Sequence, residues 1–273
     1  MYLNQWIKLS LVALTTIGFL SALCSLWLYL VFRKKYIFIW FLSWAFNGFR
    51  YLVELNTPFI STDISQYIDL FMMISSLLFW VGFVTFIKSK NRYKIYGPYF
   101  LVGASLLWGA LLRYFLHKPS LASVPVFLTS GLLVILAGWD VFRKKYQLDH
   151  FTIANPLGVT LILWGIHRID FAFLRYNVKF APYGYHIGSI LTAFVSIFLF
   201  VLAIEKEKYE KDTSITRYKL IFENSRDIMI LVDNNNKIVE VNNAAETLYG
   251  FSRNDLCGNS IYTVKAASNL NSS

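Results

Sequence analysis

The chain has 273 residues, of which 56% are hydrophobic, 18% aromatic and only 15% charged, with a mean hydropathy of +0.48. A water-soluble domain carries roughly 25% charged residues, so this composition excludes an ordinary soluble globule and points to the membrane class. The formal net charge of +10 is placed at membrane boundaries, beside anionic lipid head groups, which argues against nucleic acid as a partner.

A membrane-crossing helix needs about 20 largely apolar residues to traverse about 30 Å of hydrocarbon. Seven stretches qualify: 7–32, 36–56, 64–87, 95–116, 121–142, 154–176 and 181–204. The first is too long for a secretory signal and ends in a basic stop rather than a small-residue cleavage site, so it is expected to be retained. Basic residues follow every odd-numbered span: Arg33, Lys34 and Lys35; Lys88, Lys90, Arg92 and Lys94; Arg143, Lys144 and Lys145; Lys206, Lys208 and Lys211. The opposite side offers only Lys8, Lys118, Arg175 and Lys179. The positive-inside bias predicts a multi-pass protein of the plasma (inner) membrane, with its N-terminus extracytoplasmic and its C-terminus cytoplasmic.

The hexapeptide Val31–Tyr36 recurs unchanged as Val141–Tyr146, read here as two copies of a basic stop signal. Trp44 with Arg50, Trp108 with Arg113, and Trp164 with Arg168 suit interfacial anchoring. Gly97-Pro98 and Asn155-Pro156 are expected at helix starts, where proline sacrifices no hydrogen bond. Cys24 and Cys257 lie on separate elements, and no disulfide is expected.

A charge at the bilayer centre costs at least ~2.5–3.5 kcal/mol, so each one needs a reason. At about 1.5 Å of rise per residue, Arg50, Glu54, Asp69, Arg113, His167, Arg168, Asp170 and His186 all fall in one outer layer of the bundle. Arg50 and Glu54 share a helix face, as do His167 and Asp170. These eight residues form the candidate ligand-sensing cluster: a cavity lined by both signs suits a small polar or zwitterionic molecule. The competing reading is an interhelical salt-bridge network that holds a membrane scaffold together without sensing. Asp140 stands alone in the inner half, beside basic residues that can pair with it.

His167 and His186 also suggest a haem- or redox-linked alternative, with two imidazoles on adjacent helices. Otherwise no cofactor or metal is expected. The seventh span has no lysine for a retinal Schiff base. No interrupted helix with a coupling carboxylate suggests transport. No phosphate-cradling loop, metal cluster or nucleophile–base pair is present in sequence, so the chain itself is not expected to be an enzyme.

After Ile204 the composition turns charged. Residues 205–222, with Tyr209, Ile215, Tyr218, Ile221 and Phe222 spaced among charges, read as an amphipathic linker helix. A solvated linker interrupted at Thr213-Ser214 is the other possibility. Ile228, Ile230 and Val232 alternate as in a half-buried strand. Asp233–Lys237 reads as a turn and Ile238–Val241 as the returning strand. Asn243 with Glu246, and Ser252 with Asp255, look like capping boxes of short helices ending at Gly250 and near Gly258.

The sixth and seventh stretches, from Leu161 to Lys208, resemble the closing part of seven-helix input domains of bacterial PAS-containing signalling proteins, the matching positions being Trp164, Gly165, His167, Asp170, Phe173, Leu174 and Arg175. They depart from those domains at Ala172, where proline is expected. Trp44–Leu55 is similar to their second helix, and Arg217–Val264 is similar to the first half of a PAS domain. The resemblance implies an all-α membrane protein: a seven-helix transmembrane sensory bundle at 1–204, the linker at 205–222, a truncated α+β PAS segment at 223–264 and a disordered tail at 265–273. It also implies a homodimeric receptor of the two-component or cyclase type, with a histidine kinase or diguanylate cyclase as the downstream partner. A PAS sheet takes three further strands after Val264, so the sequence is expected to be part of a longer sensor or to carry a poorly ordered PAS half.

Overall fold

The computed structural model describes residues 2–56, 62–89, 91–115, 119–143, 148, 150–175, 177 and 179–262. Lys90, Lys118, Lys144, Lys145 and the tail 265–273 lie outside the described residues. The chain divides into two compact units, Met1–Lys206 and Glu207–Ser273.

The first unit is helical: α1 (Tyr2–Phe32), α2 (Lys35–Leu55), α3 (Thr62–Phe86), α4 (Arg92–Tyr114), the single turn α5 (Pro119–Ala122), α6 (Val124–Arg143), α7 (Ala154–Leu174) and α8 (Ala181–Asn224). Six of these, α1, α3, α4, α6, α7 and α8, are long and apolar enough to cross a membrane, which makes this a multi-pass membrane protein. The 21-residue α2 is long enough but less apolar, because Asn47, Arg50 and Glu54 interrupt it. Leucine, phenylalanine and tryptophan side chains such as Leu23, Phe100, Leu107 and Trp108 stand exposed around the outside, as lipid-facing residues do.

Close approach between neighbouring helices comes from glycine. On the α6–α7 seam, a Cβ built at Gly165 would lie 2.6 Å from the Gly131 carbonyl oxygen, and one at Gly138 would lie 2.8 Å from the Gly158 oxygen. Such small-residue seams let backbones meet where lipid supplies no hydrophobic drive between helices. On the α1–α2 seam, a Cβ at Gly18 would lie 2.8 Å from the Gly48 Cα.

Two anchoring expectations are corrected. Trp44 is 2% exposed and Trp164 4%, and their rings stack at 6.2 Å inside the bundle; of the three tryptophans only Trp108 faces outward. Arg50 and Arg168 are buried beside them and do not snorkel to a boundary. Pro98 does not start its helix: α4 begins at Arg92 and carries Pro98 inside it. Proline has no N–H for the carbonyl four residues earlier. That carbonyl, Lys94 O, instead accepts the Trp80 indole N–H from α3 at 2.7 Å. Pro156, by contrast, lies in the first turn of α7 as expected.

In the second unit, α8 runs through Thr213-Ser214 without interruption to Asn224. β1 (Ile230–Val232) and β2 (Ile238–Val241) pair antiparallel, with an irregularity between Leu231 and Val232. Asp233 Oδ1 shapes the turn by accepting from Asn235 N at 2.8 Å and Lys237 N at 2.9 Å, while Asn236 takes the left-handed backbone at φ 60. α9 (Asn243–Tyr249) is capped by Asn242, one residue earlier than the sequence suggests, and stops at Gly250 with φ 70. α10 (Arg253–Leu256) opens on the Ser252/Asp255 capping box. Ile238, Val241, Ala245 and Leu256 form a small core, and segment 258–261 hydrogen-bonds along β2. That packing gives a two-stranded hairpin the support it lacks alone.

Candidate functional site

The polar side chains inside the first unit converge from five helices. On α2, Arg50 Nη2 lies 3.9 Å from Glu54 Oε2, one turn away, and Arg50 Nη1 donates to the Tyr51 hydroxyl at 3.4 Å. Glu54 Oε1 accepts the Tyr185 hydroxyl of α8 at 2.5 Å, and Arg175, just after α7, lies 3.9 Å from the same oxygen. A short hydrogen bond to a carboxylate is among the stronger kinds, and here it ties α2 to α8.

A second focus forms around Asp69 on α3. Its Oδ2 accepts from Ser123 Oγ at 2.7 Å and faces Arg113 of α4 at 3.5 Å. Its Oδ1 is buried and has no hydrogen-bond partner among the described residues. Asp69 and Arg113 line a cleft of about 340 Å³ between α3, α4 and α6, whose walls also include Leu70, Leu106, Ala110 and Val126. A volume of roughly 300–1,000 Å³ with apolar walls and a few polar groups is typical of a small-molecule site.

Arg168 of α7 occupies a third position. Its Nη1 donates to Ser76 Oγ of α3 at 2.8 Å, and its guanidinium lies 4.0 Å from the Trp164 ring centroid. Stacking on tryptophan offsets part of the cost of burying the charge. Next to it, His167 Nδ1 is 3.2 Å from Asp170 Oδ1 and its Nε2 is 2.9 Å from the Gly184 carbonyl oxygen. Asp170 itself is half exposed.

Four of the eight sequence candidates, Arg50, Glu54, Asp69 and Arg168, are therefore buried in one layer, with the partly exposed Arg113 reaching Asp69 and with His167 and Asp170 as a pair at its edge. His186 stands apart: its Nδ1 is 3.1 Å from Ser10 Oγ on α1, and its ring meets Trp6 edge-on at 5.9 Å. The two histidines considered for axial haem ligation thus turn to different partners, and both His167 nitrogens are engaged by protein. Among the described residues, no group of three His, Cys, Asp or Glu side chains gathers into a metal site. Asp140 pairs with Lys94 across α4 and α6.

Tyr185, Ser76, Ser123 and Trp164 complete the layer, and none of them carries a charge that would single it out in the sequence. The signal that finds them is the hydrogen-bonding demand of the charges: a buried carboxylate or guanidinium requires donors or acceptors from neighbouring helices.

In the second unit a different site joins the end of α8 to the hairpin. Asn242 is fully buried. Its amide donates to Phe222 O at 3.0 Å and Asp227 O at 2.9 Å, and its Oδ1 accepts from Met229 N at 3.0 Å and Ala245 N at 3.1 Å. Both donors and both acceptor positions of the amide are used. Arg253 Nη2 adds a bond of 2.5 Å to Glu223 Oε1, also on α8.

No curated protein and no solved structure matches the chain. Residues 216–265, which begin inside α8 and include the hairpin, α9 and α10, match the family described as the PAS fold, and they follow six long apolar helices.

Proposed function

We propose that this protein is the input part of a membrane sensor: a seven-helix bundle detects an extracytoplasmic or membrane-borne small molecule and relays its state to a cytoplasmic PAS segment. The observation that carries this reading is α8, one unbroken helix of 44 residues whose first half is a membrane span and whose last turns lie within the PAS match. A PAS fold attached directly to a membrane span suits sensing and signalling. In this reading α2 is the seventh crossing, its Arg50 and Glu54 turned to its buried face, and the basic clusters hold the C-terminus inside the cell. Catalysis would reside in a histidine kinase or cyclase output rather than in these residues. The exposed Ile215, Tyr218 and Ile221 on the linker stretch of α8 suit pairing between two copies.

A relay needs two arrangements that differ in free energy when the polar layer changes. The test places a single cysteine on the linker (Cys24→Ala, Cys257→Ala, Thr213→Cys) and follows disulfide cross-linking between copies in native membranes. Glu54→Gln is expected to change the cross-linking rate at position 213 while the protein remains folded. An unchanged rate in a folded variant would favour the scaffold reading.

A further inference from the structure

Where α2, α7 and α8 meet lies a partly open cavity of about 20 Å³ lined by Arg50, Tyr51, His167, Arg168 and Tyr185, with no carboxylate in its lining. Both guanidiniums are buried, Arg50 at 3% exposure and Arg168 at 7%. Arg50 Nε is buried and has no hydrogen-bond partner among the described residues. Arg168 has Ser76 and the Trp164 face, but no carboxylate of the described residues lies within ion-pair distance of it. The Tyr51 hydroxyl accepts from Arg50 and keeps its own proton to donate. Arg50, Arg168 and Tyr51 therefore offer the cavity positive charge or a hydrogen, while Tyr185 gives its proton to Glu54 and His167 Nε2 is engaged by the Gly184 carbonyl.

A buried guanidinium without a counter-charge is costly in a low-dielectric interior, and two facing one cavity repel. The cavity is small, about 20 Å³ where roughly 10–15 Å³ holds one water, so it suits a single monatomic ion better than a bulky organic anion. The remaining walls, which include Leu14, Met72, Phe127 and Phe171, are apolar.

We propose that the Arg50–Arg168 cavity binds a single halide ion, chloride in a physiological setting. This deepens the sensor reading, on which its signalling meaning rests, by giving the layer a ligand; the binding itself is independent of any output.

The test is thermal unfolding of the purified full chain in detergent, titrated with sodium chloride, bromide, gluconate or sulfate at matched ionic strength. Chloride and bromide are expected to raise the midpoint by several degrees and to saturate, as ligand linkage requires. Gluconate and sulfate should not. Equal midpoints in all four salts would overturn the proposal, and so would an unsaturating order with sulfate the most stabilising, which is the excluded-salt effect. Arg168→Met should abolish the difference between the chloride and gluconate midpoints, whatever the loss of its Ser76 and Trp164 contacts does to both. An arginine serving structure alone would lower both midpoints and leave the difference between them intact, which would overturn the proposal. If this variant does not fold, the four-salt comparison on the natural protein still decides. A negative result here leaves the membrane topology and relay untouched, since neither is measured by it.

Discussion

Asn242→Ala is the sharpest perturbation of the joint between α8 and the PAS segment. The natural side chain makes four hydrogen bonds between 2.9 and 3.1 Å while fully buried. Each contributes a net of about 0.5–1.5 kcal/mol, and losing a helix cap alone costs about 1 kcal/mol. Some of the stranded groups regain water, so about 3 kcal/mol is the expected loss. At 1.4 kcal/mol per factor of ten, the hairpin should open about 100-fold more often. Amide exchange at Ile238 and Val241, the buried positions of β2, reports that opening in the full chain. Asn242→Asp should be at least as damaging, since it keeps the two acceptor bonds and turns a carboxylate oxygen toward the Phe222 and Asp227 carbonyls. Asn243→Ala, which removes only a 3.3 Å bond from an exposed side chain to Glu223 O, should change exchange little. If Asn242→Ala and Asn243→Ala accelerate exchange equally, the claim that one buried amide holds α8 to the hairpin is wrong.

Three further outcomes follow from the membrane unit. Gly165→Ala drives a Cβ to 2.6 Å from the Gly131 carbonyl oxygen, a backbone atom that cannot rotate away, so it should destabilise by about 1–3 kcal/mol. Gly103→Ala meets open space and should be neutral or stabilising by up to about 1 kcal/mol; equal unfolding midpoints for the two variants in detergent would refute the tight seam. Tyr185→Phe removes the donor to Glu54 and should cost about 1.5–3 kcal/mol in the same assay, with a loss under about 0.5 kcal/mol counting against the α2–α8 tie. Pro98→Ala returns an N–H that competes with Trp80 for Lys94 O. The cost of Trp80→Phe should therefore be smaller in the Pro98→Ala background, and strict additivity in that double-mutant cycle would contradict the assigned partnership.

Much of this arrangement was legible in the sequence because its causes are local or compositional. Apolar run length marks the long helices, and the Asp233–Lys237 turn and the Ser252/Asp255 box carry their own signatures. The pairing of Arg50 with Glu54, and of His167 with Asp170, follows from helix periodicity. What escaped depends on contacts between distant elements. Pro98 looks like a helix start until Trp80 supplies a donor for the carbonyl it frees. Trp44 and Trp164 carry the composition of boundary anchors, yet they stack in the core because their helices bring them to the same depth. His186 shares the depth of the polar layer but rotates toward Ser10 on α1, and depth alone carries no information about rotation. Asn242 caps α9 rather than Asn243 because the hairpin and α8 both need its amide.

The most direct test of the account is the side of the membrane on which each end of the bundle lies, because it decides whether α2 is a crossing. The chain has two cysteines, so Cys24→Ala leaves Cys257 as the sole thiol of the PAS segment, and Gln5→Cys in a Cys24→Ala, Cys257→Ala background reports the other end. With a membrane-impermeant maleimide, an odd number of crossings predicts that position 5 reacts in intact spheroplasts and Cys257 only in inverted vesicles. Labelling of both positions from the same side would mean an even number of crossings, with α2 failing to traverse, and would contradict a bundle wired to an intracellular PAS segment.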